Sequence, residues 1–324
     1  MYNLLDILSI SFFLMPILAM TSYLLFGRSR VILATHLGTV FIAIGFILSF
    51  IALIYSSNSI SRSNMMLFNA NTLSLLLTTM ILFISFIIHQ FSLRYMNGDK
   101  KYRSYFFNLS AITLSAISMA LADNLVLFWF SWTISNLILV SLIIHKAQWR
   151  AAYNSGVLAF KTLLLGSLFL LTAIFILYTF TGSLSIQKIV YNDTVLSPLI
   201  ISFALALIIL SAMTQSAIWP FHRWLLSSLN SPTPVSALMH AGLVNGGGFL
   251  IVKFSPLMIT QIDLLTVLFI LGALTALLGT VWKLLQWNIK SMLACSTMAQ
   301  MGFMIMQCGL GLFSAAIAHL CWHG

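Results

Sequence analysis

The chain has 324 residues, 60% of them hydrophobic and 6% charged, with a formal net charge of +10. A mean hydropathy of +1.05 excludes a soluble globular domain, which could not carry that much apolar surface without aggregating. There is no glutamate, and the acidic residues are five aspartates, none of them in the interior of an apolar run delimited below; Asp263 stands at the very start of one.

Apolar runs of about 20 residues, enough to cross a hydrocarbon core, follow one another along the chain. They fall near 7–26, 31–55, 65–93, 105–122, 124–144, 155–179, 198–219, 234–254, 262–282 and 288–307. An eleventh starts near 311 and stops short at Gly324. The pattern predicts an all-α polytopic membrane protein whose surface partner is the lipid bilayer. The first run has no basic segment before it and no small-residue cleavage site after it, so a retained helix is expected rather than a removable signal.

Charge follows the loops. Odd-numbered loops hold Arg28, Arg30, Arg94, Lys100, Lys101, Arg103, Lys146, Arg150, Arg223, Lys283 and Lys290, whereas even-numbered loops hold only Arg62, Lys188 and Lys253. Basic loops face the cytoplasm in helical membrane proteins, which places the N-terminus outside. Basicity therefore reports topology and not a nucleic-acid partner. Cys295, Cys308 and Cys321 lack CxxC pairing and are read as buried, inert thiols. No zinc-ligand spacing, phosphate loop or dinucleotide fingerprint is present, so no cofactor or metal is expected.

The most informative stretch runs from Gln215 through Trp219-Pro220-Phe221-His222-Arg223-Trp224 to Ser231-Pro232-Thr233-Pro234 and His240. Proline removes a backbone donor and clashes with the preceding turn, so the helix is expected to break at Pro220. Irregular backbone at membrane depth survives only where it is buried in protein or lines a wet cavity, which makes such a break a transport signature. Thr233 and Pro234 form a good start for the next helix, as N-cap and first helical residue. His240 then lies about 9 Å along that helix.

These residues closely resemble the core of the antiporter-like superfamily, which includes the large membrane subunits of respiratory complex I and the Mrp antiporters. Within it, Phe91-Ser92-Leu93-Arg94-Tyr95-Met96-Asn97-Gly98-Asp99, Val244-Asn245-Gly246-Gly247-Gly248-Phe249-Leu250 and Ser296-Thr297-Met298-Ala299-Gln300-Met301-Gly302 are most similar to the DabB family. DabB is the membrane subunit of the DabA–DabB inorganic-carbon accumulation system. The resemblance extends from about residue 90 to 324. It implies inverted five-helix repeats, each with a discontinuous helix lining a half-channel. Residues 1–104 are then N-terminal helices, 105–256 the first repeat and 257–324 an incomplete second one. A C-terminally truncated chain is the expectation.

The resemblance also implies a proton path, and the chain departs from it. Ion-pumping relatives place a glutamate where Thr133 stands, a lysine at Gln215, and an arginine and an aspartate at Leu164 and Ser167. Thr133 and Gln215 cannot titrate, so the paired-charge switch of those relatives is missing. The ionisable candidates that remain are His240, Lys161, Lys290, His319 and His323. His240 titrates near neutral pH, Lys161 sits within the sixth run, and Lys290 begins the tenth. His319 and His323 are four apart and share one helix face; without a third ligand they are not read as a zinc site. His36, His89 and His145 lie near the ends of runs and are read as interfacial.

By resemblance, the chain is an ion-translocating subunit of the bacterial inner membrane that performs no covalent chemistry. It would energise uptake of CO2 or bicarbonate with a DabA-like cytoplasmic zinc protein. The alternatives are a subunit of an NADH–quinone oxidoreductase or Mrp-type antiporter, or a truncated remnant that does not conduct.

Overall fold

The computed structural model describes residues 4–26, 30–58, 68–191 and 197–323. Arg28, Arg62, Asp193 and Gly324 lie outside them. The described residues are almost wholly helical, with a single isolated antiparallel bridge between Phe68 and Ala122. Two compact units make up the chain: residues 1–145 with 233–238, and residues 146–232 with 239–324.

The first unit holds α1 (Leu4–Leu25), α2 (Val31–Asn58), α3 (Thr72–Tyr95), α4 (Tyr102–Leu121) and α5 (Leu125–Ile143). Side-chain caps set two of the starts. Asn71 accepts from the Ser74 amide at 2.8 Å, and Asn124 accepts from Val126 and Leu127 at 2.9 and 3.2 Å. Each satisfies backbone donors that a helix N-terminus leaves open. The Arg103 guanidinium donates to the carbonyls of Tyr23 and Leu24, placing a cation on the negative end of α1. Asp99, in the loop after α3, meets His145 Nε2 at 3.1 Å and accepts from the Lys101 amide at 2.7 Å. That loop is thereby tied to the end of α5.

Three expectations change here. Asp6 lies inside α1 and is 1% exposed, so an acid does occur within a spanning helix. The unbroken apolar pattern after it hid the helix start. His89 is not interfacial: it is 0% exposed and held through both ring nitrogens by Ser85 and Ser110. His145 is buried against Asp99 and the Tyr105 ring.

The second unit holds α6 (Arg150–Thr181), α7 (Ile186–Tyr191), α8 (Pro198–Gln215), α9 (Arg223–Ser227), the end of α10 (Thr233–Ala241), α11 (Gly246–Lys253), α12 (Ser255–Met258), α13 (Ile262–Leu284), α14 (Ile289–Gly309) and α15 (Phe313–His323). Helix α8 packs between α6 and α11, and α15 lies against α14 and α11. The antiparallel pair α13–α14 is the most extensive helix contact, because small residues face each other along it. A Cβ on Gly272 would strike the backbone of Gly302 and Met306, one on Gly279 that of Ala299, and one on Gly309 that of Phe269. These glycines recur at seven-residue spacing on both helices, which keeps them on one face.

Nine helices among the described residues are long and apolar enough to cross a membrane. They correspond to the first nine predicted runs. Helix α14 has 21 residues but is more polar, with Lys290, Ser291, Ser296, Thr297, Gln300 and Gln307.

Candidate ion-translocation site

Helix α8 does not run to Pro220. It ends at Gln215, and Ala217 takes a left-handed φ of 51° while remaining fully buried. The Ile218 amide reaches back to the Met213 carbonyl at 3.0 Å, the long bond of a Schellman-type helix end. The Thr214 carbonyl takes the indole N–H of Trp224 at 2.9 Å, and the Trp219 amide donates to Thr275 Oγ1 at 3.2 Å. The break thus falls three to four residues ahead of the proline. Trp224, folded back from α9, supplies the cap that an unbroken helix would not need. Pro220 follows in the cis form, where no amide is required of it.

A second break lies beside the first. The run predicted at 234–254 splits at Gly242 into α10 and α11, joined by the 3-10 turn Leu243–Asn245. The two breaks exchange side chains. Gln215 Nε2 donates to the Leu243 carbonyl at 3.1 Å, and Ser216 Oγ donates to the Val244 carbonyl at 2.7 Å. Asn245 Nδ2 closes its own turn on Ala241 O at 3.0 Å. The approach needs glycine: a Cβ on Gly247 would strike the Ala212 carbonyl and Ser216 Oγ. The Gly242 and Gly246-Gly247-Gly248 signals were present in the sequence but read as family markers rather than as a break.

The predicted ionisable residues fall into one group and one outlier. His240 lies within electrostatic reach of His323 and Lys290. The His323 and His319 rings are 6.0 Å apart on one face of α15, and the His319 ring lies tilted 5.6 Å from that of Phe303. Lys290 donates from Nζ to the carbonyls of Leu229 and Ser231 at 2.6 and 2.8 Å, clasping the 3-10 turn that precedes Pro232. Lys161 is elsewhere, exposed on the outer face of α6. Pro234 sits in the first turn of α10, which starts at Thr233.

Several buried polar atoms around the breaks have no protein partner among the described residues: Ser211 Oγ, Gln215 Oε1, Asn245 Oδ1, His240 Nδ1, His319 Nε2, His323 Nε2 and Gln307 Oε1. Each would cost about 1–3 kcal/mol if left dry, so the arrangement suits an interior that holds water. In the first unit, α5 carries a similar set within one turn. Trp132 Nε1, Thr133 Oγ1 and both amide atoms of Asn136 are buried and have no partner among the described residues. Sequence reading reached Thr133 but missed Trp132 and Asn136, because only the fold reveals that they bury a polar atom. No three His, Cys, Asp or Glu side chains converge among the described residues.

The model of the NADH:quinone oxidoreductase/Mrp antiporter transmembrane family matches residues 122–324, and that of the complex I chain 5 N-terminus matches 59–106. The chain belongs to this antiporter-like family. Among its relatives, the probable inorganic carbon transporter subunit DabB of Bacillus subtilis is 36% identical over 97% of this chain and 62% of its own length. DabB1 of Halothiobacillus neapolitanus, described in the same terms, is 38% identical over 78% of this chain and 46% of its own. NADH-ubiquinone oxidoreductase chain 5 of Schizophyllum commune is 35% identical over 79% and 37%. The chain therefore spans about half the length of the curated relatives it matches. The structure of the Mrp complex from Dietzia sp. DQ12-45-1b contains a chain that superposes with a TM-score of 0.85 over 99% of this one, at 24% identity; the likeness establishes the fold.

Proposed function

We propose that this chain is an ion-translocating subunit of a bacterial inner membrane, energising uptake of inorganic carbon with a DabA-type zinc partner on the cytoplasmic side. The observation that carries the reading is the pair of interlocked helix breaks with the His240, Lys290, His319 and His323 group in the same unit. Broken helices free backbone groups at membrane depth, and imidazoles can carry protons between the waters those groups hold. The relatives named inorganic carbon transporter subunits supply the substrate class. On this reading the chain moves ions, and the hydration of CO2 belongs to the partner. The N-terminus lies outside, with the basic loops available to the partner.

His240 is the central carrier because it stands two residues before the break at Gly242 and within electrostatic reach of His323 and Lys290. His240→Ala should abolish carbon-dependent growth rescue of a strain lacking carbonic anhydrase, while membrane insertion and yield stay unchanged. Rescue that is indifferent to His240→Ala would sink the proposal. A second reading, an NADH–quinone oxidoreductase or Mrp subunit, draws on the chain 5 relative at 35% identity. Co-elution with a DabA-like protein favours the first reading, and co-elution with redox or Mrp subunits favours the second. Thr133 and Gln215, neither able to titrate, favour a third: a remnant that does not conduct, for which neither wild type nor variant would rescue growth.

A further inference from the structure

Outside the group around His240, the first unit buries a second titratable chain that the proposed function does not use. His89 on α3 is 0% exposed. Its Nδ1 lies 2.8 Å from the Ser85 carbonyl and 3.2 Å from the Ser85 hydroxyl, and its Nε2 lies 3.0 Å from Ser110 Oγ on α4. The chain continues at both ends. Ser110 Oγ donates to the Tyr23 hydroxyl on α1 at 3.4 Å, and Ser85 Oγ lies 2.7 Å from Thr113 Oγ1. Five groups from three helices, each able both to donate and to accept, are thus joined in a line.

We propose that this line is a proton relay of the first unit, with His89 as its loading site. The geometry satisfies the imidazole in two protonation states. When neutral, Nδ1–H donates to the Ser85 carbonyl and Nε2 accepts from the Ser110 hydroxyl. When a proton is added at Nε2, that nitrogen donates to Ser110 Oγ, and the Ser110 hydroxyl turns to Tyr23. One proton is bound, one hydroxyl rotates, and both imidazole nitrogens stay paired in either state. A purely structural histidine needs only one such arrangement.

The same face of α3 continues toward its N-terminus. Thr78 stands two turns from Ser85, about 10 Å along the helix. It is 0% exposed, and its hydroxyl has no protein partner among the described residues. Water between these two hydroxyls would extend the line. Beyond it, α1 carries Asp6 and the unpartnered Ser9 hydroxyl on its buried side, at the opposite end from Tyr23. Asp6 and Tyr23 are about 26 Å apart along α1, close to the thickness of a hydrocarbon core. At the Tyr23 end, the Arg103 guanidinium is held by the Tyr23 and Leu24 carbonyls.

The relay goes beyond the proposed function and does not depend on which process the flux serves. Its test is proton uptake into vesicles that contain the full chain with its partner, read by a trapped pH dye under a potassium diffusion potential. His89→Gln keeps a group that both donates and accepts but cannot take up a proton. It should lower uptake about fivefold or more with no change in melting midpoint. Ser110→Ala should act in the same direction. An infrared pH titration of histidine-labelled protein should lose one buried imidazole band in His89→Gln and keep that band in His240→Ala, which separates this proposal from the group around His240. If His89→Gln does not assemble, Tyr23→Phe, which removes only the terminal hydroxyl, should show the same loss of uptake. Wild-type uptake in the assembled variant overturns the relay, and so does a wild-type chain that admits no protons.

Discussion

Ala217 holds a left-handed backbone that costs a residue with a Cβ about 1–2 kcal/mol, and its neighbours show what keeps it there. Trp224 takes the Thr214 carbonyl, Thr275 takes the Trp219 amide, and Gln215 and Ser216 reach the second break. Trp224→Phe keeps the ring in its fully buried slot and leaves that carbonyl bare, at a cost of about 1–3 kcal/mol. A fall of several degrees in the melting midpoint of the purified protein is expected, and an unchanged midpoint would mean water replaces the indole. Gln215 is the neutral member of this set, donating where relatives are expected to hold an ammonium. Gln215→Lys should keep the bond to Leu243 and raise ion flux in vesicles, since Gln215 Oε1 already lies among buried polar atoms that have no protein partner among the described residues. A loss of yield instead would show a dry site that rejects an unpaired charge. Sequence reading placed the break at Pro220, whereas α8 ends at Gln215. Proline is visible in a sequence, whereas a left-handed alanine held by distant partners is not.

Helices read well where composition alone decides them. Eight of the first nine predicted runs correspond to single unbroken spanning helices among the described residues, because a long apolar segment has one stable conformation in lipid. The run at 234–254 is the exception: α10 and α11 are separated at Gly242, and hydropathy is blind to a break that keeps its residues apolar. What fixes that break is close packing, with Gly247 against the carbonyl of Ala212 on α8. Gly247→Ala should force the two broken helices apart at a cost of about 1–3 kcal/mol. Thermal unfolding of the variant should begin at lower temperature, and ion flux should fall with it. A variant as stable as wild type would mean that α11 can shift without loss. Asp6 and His89 were misjudged for a related reason. Their depth depends on where α1 starts and on which face of α3 meets α4, and neither follows from the apolar pattern.

At the scale of the whole molecule, the charge distribution sets orientation. Basic residues gather in the loops after odd-numbered spans, so the segment carrying Arg94, Lys100, Lys101 and Arg103 should lie in the cytoplasm. A cysteine placed at Asn97 in an otherwise cysteine-free chain should be labelled by an impermeant reagent only after the membrane is opened. Labelling in intact cells would invert the topology. Asp99 does not contradict the basic character of this side, since His145 and the Lys101 amide hold its carboxylate. Class and the broken-helix segment were legible from the sequence, because composition and a long motif carry them. The buried polar chains of the first unit were not, because they are assembled from serines, threonines and tyrosines on three helices that no spacing in one segment connects.

The glycine seam between α13 and α14 bears on how the protein is made. Helix α14 has 21 residues yet falls outside the set apolar enough to span alone. Its polar side chains make its separate passage from the ribosome into lipid unfavourable. A short turn joins it to α13, and the glycines let the two backbones touch along their length. The two segments are therefore expected to enter the bilayer as one hairpin, and α14 translated without α13 should fail to insert in a glycosylation-mapping assay.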